Sequence, residues 1–526
     1  VREHGVLGDG KTDDTVAVQR LLDAAPARLE FAKGTYRMGS LRIGSGTELC
    51  FEPGAIWLVP SGEGVGKAAA LSGEGIVIRN AHLDLSELGK PGDKKKHTLF
   101  AAEGCKDVRL TGLVAKRANE GVLPVWGHKG WRNDVVVLMA ENCGNVEVDH
   151  CEVEGIGTLV RTDYCEDVSV HENRARWCDH ISLFRNGSRD VRHYANRSRY
   201  VVFQCMWWGG DANDTHKWIT GNTSNVVRPD LKPGDEGFDT ATVGVYNVSV
   251  QNNVAEYGVT LAWGAKARNV VVTGNTATFM EDMAYDSEGD ENVVIANNIS
   301  INSKCAGIGC YFWTDKVLIA GNQLLVLDQG EKVYKGNFIR LHSSGRAGPD
   351  HFGTGKCLVQ GNLMVSEVES SRSLLVEACR DVTIADNKFV NGRINTNPWD
   401  EARRIQVTDN EFHFTDGEAV NAIEIVNKGV SGVVKGNVLT WEREELPAKA
   451  DETPAILLRA MGTKDQIVAQ NIVRGWPTAV KAEAAAPNGK GPRFVLRDNT
   501  VDGDILVPPT EPPCRVIEQG NLDLRR

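Results

Sequence analysis

Asp286 and Glu288 stand two residues apart in Met283-Ala-Tyr-Asp-Ser-Glu-Gly289. In an extended strand successive side chains point to opposite faces, so carboxyl groups at that spacing share a face with their Cα atoms about 6.5–7 Å apart. This lies inside the roughly 6.5–9.5 Å window in which one carboxylic acid protonates a glycosidic oxygen while a second carboxylate activates a water. Strict alternation also puts Asp282 and Ala284 on that outer face, with Met283, Tyr285 and Ser287 on the other. In Gly237-Phe-Asp-Thr-Ala-Thr242, Phe238 goes inward and Asp239 outward. In Asp179-His-Ile-Ser-Leu-Phe184, inward Ile181 and Leu183 leave His180 and Ser182 outside. The candidate acid–base groups are therefore Asp286, Glu288 and Asp239, with His180 or Asp282 assisting. Trp207, Trp208, Trp263, Trp313, Tyr311, Gln204 and Arg185 fall beside them in phase. Flat apolar rings next to carboxyl groups suit a sugar, which offers a C–H face and many hydroxyls. A lone surface acid is usually a solvated group and a lone tryptophan is as often core. The concentration of both in one column carries the reading.

These residues need an element that repeats, and the sequence supplies one. Val146-Glu-Val-Asp-His-Cys151, Val168-Ser-Val-His-Glu-Asn173, Val248-Ser-Val-Gln-Asn-Asn253, Val270-Val-Val-Thr-Gly-Asn275, Val293-Val-Ile-Ala-Asn-Asn298 and Val317-Leu-Ile-Ala-Gly-Asn322 are one unit written six times. It returns at Asn362, Asn387, Asn410, Asn437, Asn471, Asn499 and Asn521, with Asn196 and Asn222 as further markers. From Asn253 the steps are 22, 23 and 24 residues. Short β-branched strands at such a period predict an all-β fold, a right-handed parallel β-helix, in which no coil can bury its apolar face alone. Coils stack about 4.8 Å apart, so the asparagines should form a ladder at one turn, tolerating left-handed backbone and bonding to one another. The sequons at Asn196, Asn222 and Asn298 are then structural. Thr12-Asp-Asp-Thr15 and the amphipathic Val16–Asp23 predict a capping helix over 13–24. The expected organisation is a cap with first coils over 1–60 and a body over 61–526, one continuous domain. Long insertions near 85–98, 114–135, 209–237, 326–355 and 440–454 are expected loops, which on a solenoid tend to build the binding face.

Composition narrows the partners. A net charge of −11 over 526 residues speaks against a nucleic-acid backbone as the main ligand. No apolar run reaches the roughly 18 residues a membrane span needs. The 12 cysteines show no CxxC spacing. Cys143 and Cys165 fall at matching places in the repeat and are read as buried thiols, with a disulfide as the alternative.

His4-Gly-Val-Leu-Gly-Asp-Gly-Lys-Thr-Asp-Asp-Thr-Val-Ala-Val-Gln19, Phe31-Ala-Lys-Gly-Thr-Tyr36 and Leu49-Cys-Phe-Glu-Pro-Gly-Ala55 resemble the opening of the pectate-lyase superfamily, which includes glycoside hydrolase family 28. The resemblance is specific over about the first 60 residues and otherwise rests on period and ladder. It implies a right-handed β-helix and the company of polysaccharide hydrolases, lyases, epimerases and phage tailspikes. The motifs of polygalacturonases do not transfer: Asn395-Thr-Asn397 lacks the acid, Gly127-His-Lys-Gly130 sits in a loop, and Asp13-Asp14 belongs to the cap.

The expected function is a glycoside hydrolase with paired carboxylates, inverting in outcome, secreted or periplasmic, acting on a carbohydrate and needing no cofactor. A polysaccharide lyase or uronate epimerase is the alternative, served by Arg161, Arg185, His180 and Lys266. A non-catalytic glycan-binding β-helix is the second alternative, and Ca²⁺ in the acid column the alternative to metal independence. Oligomeric state is left open.

Overall fold

The computed structural model describes residues 1–61, 67–88, 96–117, 135–209, 244–311, 314–329, 336–342, 354–368, 372–377, 379–397, 403–415, 420–427, 431–442, 453–460, 465–484, 492–507 and 515–525. Half or more of each expected insertion, together with Asp239, Trp313 and Asn222, lies outside them. Two compact units make up the chain, one ending at Glu281 and one beginning at Asp282. Each is a right-handed parallel β-helix.

One coil of the first unit illustrates the build. Glu166–His171, Arg174–Arg176 and His180–Arg185 are its three strands. Each pairs in parallel with the strand one coil later, Arg189–Tyr194, Arg197–Arg199 and Phe203–Trp208. Val168 sits directly under Val191, and Val191 under Val248, all three buried. Stacking identical side chains lets each coil bury the apolar face of its neighbour, and that is why the period is the fold.

The asparagine ladder is present in both units. Asn173, Asn196, Asn253 and Asn275 form it in the first, each backbone N–H donating to the Oδ1 of the next at 2.9–3.0 Å. Asn298, Asn322, Asn362, Asn387, Asn410, Asn437, Asn471, Asn499 and Asn521 form it in the second, with the same bond at 2.9–3.1 Å. Most of the side-chain Nδ2 groups also donate to a backbone carbonyl, as Asn275 does to Val250 O at 3.0 Å. Two details depart from the sequence reading. Asn196 hands directly to Asn253, 57 residues on, so the ladder takes a longer step there. And the left-handed residue is the one before each rung (Glu172, Asn252, Gly274, Asn297, Gly321), with φ between 54° and 68°. The asparagines serve as bonding groups, and buried Asn196 and Asn298 leave no room for a glycan.

The helix spans Thr15–Asp23 and buries Val18 and Leu22. It carries no acid in its first turn. Asp14 takes the N-cap position but spends its carboxylate on the backbone N–H groups of Leu7 and Gly8, at 2.8 and 3.1 Å. Gln19 ties the helix to the strand below through the backbone of Arg42, at 2.8 and 3.2 Å. Cys143 and Cys165 are free thiols.

Candidate active site

Seven strands of the sheet that ends each coil carry the candidate residues. They are β1 (His180–Arg185), β2 (Phe203–Trp208) and β3 (Thr260–Ala265) in the first unit. In the second they are β4 (Met283–Glu288), β5 (Ala306–Tyr311), β6 (Asn337–His342) and β7 (Arg372–Glu377). The first residues of these strands do not alternate cleanly. Register runs His180 to Phe203 to Thr260 and then Ser182 to Cys205 to Ala262, passing over Ile181, Gln204 and Leu261. The chain turns a corner there, and two successive residues face inward. β4 does the same at Ala284 and Tyr285, with Met283 pushed outward.

That corner corrects several expectations in the first unit. Ser182 faces inward and its Oγ meets the Nδ1 of core His193. Gln204 is also inside, its amide donating to Val254 O at 3.2 Å. Trp207, 1% exposed, fills the core where a Cβ on Gly264 would lie 1.8 Å from its indole. Neither Gln204 nor Trp207 is a surface for a sugar. Leu183, expected inside, shares the outer row with Met206 and Trp263. Outer Trp208 and Trp263 stack on one another at 5.1 Å, and Phe203 lies 5.5 Å from Trp263. Arg185 is buried 3.8 Å from Asp163, which also takes Arg161 at 3.1 Å and Asn186 at 2.8 Å. His180 stands on the outer face but is covered: it stacks on Phe203, its Nδ1 lies 3.2 Å from Thr158 Oγ1, and its Nε2 has no partner. Burial pushes its pKa down to about 3, so it is neutral and a feeble base.

In the second unit three of the expected acids, Asp282, Asp286 and Glu288, act on one another electrostatically. Asp286, Gly309 and Arg340 are successive positions of one outer row, and Glu288, Tyr311 and His342 of the next. Asp286 was expected to be exposed, yet it is 3% exposed and its Oδ1 has no hydrogen-bond partner. Its pKa is driven well above the ordinary carboxylate range, first by burial and then by the charges of Glu288, Asp282 and Asp290. Asp282 is also raised by burial, partly offset by a hydrogen bond from Cys305 and by the charges of Lys304 and Arg340. Asp290, buried, accepts from Ser287 Oγ at 2.7 Å.

Gly309 makes the room. A Cβ there would fall 2.1 Å from Met283 Sδ, 2.6 Å from the Tyr311 ring and 3.1 Å from Asp286 Oδ1. Three side chains thus lean over one bare backbone position. Tyr311, expected to bind substrate, closes the next row, with His342 edge-on at 5.5 Å and the Arg340 guanidinium 5.8 Å from its ring. Glu377 joins Arg340 at 3.3 Å and lies 2.5 Å from His342 Nδ1. Arg340, His342 and Glu377 escaped the sequence reading because an insertion separates them from the marker units; the Asn322-to-Asn362 step of 40 residues was the available signal.

One other group of metal-binding types is gathered among the described residues: Glu147, Asp149 and His171, with ligand atoms within 4.8 Å of one another. Arg109 contacts Asp149 Oδ2 at 2.9 Å and Glu147 at 3.4 Å, and Thr111 and His150 contact Asp149 Oδ1 at 2.5 and 2.6 Å. A guanidinium stands where a cation would, and the donor set does not suit Ca²⁺, which takes six to eight oxygens. No helix among the described residues is long and apolar enough to cross a membrane.

The sequence matches no known family profile and no curated protein. Among solved structures it is similar to the family 28 exopolygalacturonase of Yersinia enterocolitica, at 13% identity over 77% of each chain and a TM-score of 0.48. It is similar to an N-terminal fragment of bacteriophage Phi29 gene product 12, at 11% identity over 99% of this chain and 92% of that one, TM-score 0.47. The polygalacturonase of Erwinia carotovora ssp. carotovora follows at 10% identity over 77% and 95%, TM-score 0.39. Likenesses this distant assign nothing to the site, and the fold rests on the coils themselves.

Proposed function

We propose that this protein is a carbohydrate-active enzyme that hydrolyses a glycosidic bond, with Asp286 as general acid and Glu288 as general base. The observation that carries this is the buried Asp286 carboxyl with its unpartnered Oδ1. Burial and three like-charged neighbours push its pKa well above the ordinary carboxylate range, toward the protonated state that a proton donor needs. Glu288 is same-faced and two residues on, a Cα spacing of about 6.5–7 Å in an extended strand, which suits the wider carboxyl separation of an inverting pair. Tyr311, Arg340 and His342 border the acids and offer a ring and hydrogen-bond donors to sugar hydroxyls.

A second reading has its own support. Arg340, His342 and Tyr311 on one face could neutralise a uronate carboxylate and abstract the adjacent proton, which is lyase or epimerase chemistry. Incubation with a glycan panel separates the two. Reducing ends released without the ultraviolet absorbance of an unsaturated uronate is the expected result. That absorbance, abolished in Arg340→Gln and kept in Asp286→Asn, would overturn it. Turnover of no glycan in the panel, with binding retained, would favour a non-catalytic binder.

A further inference from the structure

The sheet that follows the asparagine ladder in the first unit is built from three-residue strands. Its strands Glu152–Glu154, Arg174–Arg176, Arg197–Arg199, Val254–Glu256 and Thr276–Thr278 each bury the middle residue and turn the outer two to the surface. Register sets Arg174 beside Arg197 and Arg176 beside Arg199. Four exposed arginines therefore form a two-by-two grid, about 4.8 Å between coils and about 6.5–7 Å along each strand.

Like charges directly opposite one another in a sheet are destabilising, and this grid is poorly compensated. Arg199 has Glu256 at 3.7 Å, both groups about half exposed. Glu152 lies next to Arg174 in register but is held by Lys116 at 2.7 Å. Glu154 lies next to Arg176 in register without an ion-pairing contact to it. Arg174, Arg176 and Arg197 have no ion-pair partner among the described residues. An anion across the grid would relieve the repulsion, so the sheet is set to bind one even though the whole chain carries −11.

The border of the grid narrows the ligand. The residue after the second arginine of each strand is aromatic, Trp177 and Tyr200, and Tyr257 and Phe279 continue the row. Their rings stack at 4.1, 5.4 and 5.1 Å, with the Arg199 guanidinium 5.1 and 5.3 Å from the Tyr200 and Tyr257 rings. We propose that this face binds an anionic polysaccharide, one charged sugar per coil over the two arginine pairs, with the pyranose C–H groups along the aromatic row. The coil spacing is close to the length of one pyranose in an extended chain, so successive carboxylate or sulfate groups meet successive coils. Tyr200 and Tyr257 are stacked on both sides, so the row presents ring edges along which a pyranose can lie and no open face between them for an unpaired base to stack on. This surface lies in the first unit and does not depend on the catalytic reading of Asp286.

The test measures binding of a size-defined heparin oligosaccharide to the full chain at low and at high salt. The expected result is binding that weakens as salt rises, because charged contacts displace counterions. Arg174→Gln with Arg197→Gln should weaken it by about tenfold, and Trp177→Leu should weaken it less, with melting temperature held or raised in the arginine pair. The double variant binding like wild type would overturn the proposal. So would a neutral dextran oligosaccharide binding as well as heparin. So too would tighter, arginine-dependent binding to a single-stranded oligonucleotide or to phosphatidylserine vesicles.

Discussion

The same strand of the repeat carries two different surfaces. On β1 to β3 the outer positions are His180, Phe203, Met206, Trp208 and Trp263, which cover one another. On β4 to β7 they are Asp286, Glu288, Tyr311, Arg340, His342 and Glu377, which surround a glycine. Each surface holds one buried ionisable group with an unpartnered atom, His180 Nε2 in the first and Asp286 Oδ1 in the second. Burial drives both toward the neutral form, and the consequence is opposite. A neutral histidine at about 3 has lost its proton and binds another weakly. A neutral aspartic acid has kept its proton and can donate it. The repeat supplies position, and the identity of the group under the same desolvation decides whether the position can be an acid.

Replacing Asp286 gives the largest expected effect. Asp286→Asn keeps shape and removes the proton, so kcat should fall by about 10²–10⁴. Its stability should move the other way. A carboxyl whose folded pKa is raised binds protons more tightly in the folded state, so the wild type loses stability as pH rises above the ordinary carboxylate range toward the raised value. Each unit of elevation is worth about 1.4 kcal/mol. The amide variant should melt above wild type at pH 8 and near it at pH 4. Equal melting curves at both values would mean that the carboxyl is solvated, and the contrast with His180 would dissolve.

Gly309→Ala comes next. The added methyl must displace Met283, Tyr311 or Asp286, at a cost of about 1–3 kcal/mol, and kcat should fall with the acid misplaced. Met283→Ala in the same chain should recover part of both. Failure of that recovery would show that Gly309 is needed for its backbone and not for the room.

Asn275→Ala tests the part common to both surfaces. It removes the acceptor of the Asn253 N–H and Nδ2 and the donor to Val250, for a loss of about 1–3 kcal/mol in denaturant melts, with kcat of the folded fraction unchanged. The smallest effect is expected of His180→Phe. A neutral, ring-stacked histidine replaced by a ring should leave kcat within about twofold and stability level or raised, because one unsatisfied buried nitrogen disappears. A large loss of turnover there would place His180 in the chemistry and move the catalytic centre to the first surface.

The sequence by itself determined the coil. A buried stack of β-branched residues and a bonded asparagine at each turn are local, repeated requirements, so they are written at a fixed period and can be read from it. It also determined that Asp286 and Glu288 share a face, since they sit two apart on one short strand. What only the tertiary structure decided lies where the period breaks. The corner at Ile181, Gln204 and Ala284 turns two neighbours inward, which took Gln204, Ser182 and Trp207 into the core and brought Met283 out. The environment of Asp286 was equally hidden. Its burial comes from Met283 on its own strand and from Gly309 and Tyr311 one coil later, and Arg340 enters from a coil beyond a 40-residue step between rungs. A pKa is set by everything packed around a group, and in a solenoid most of that packing comes from residues more than twenty positions away.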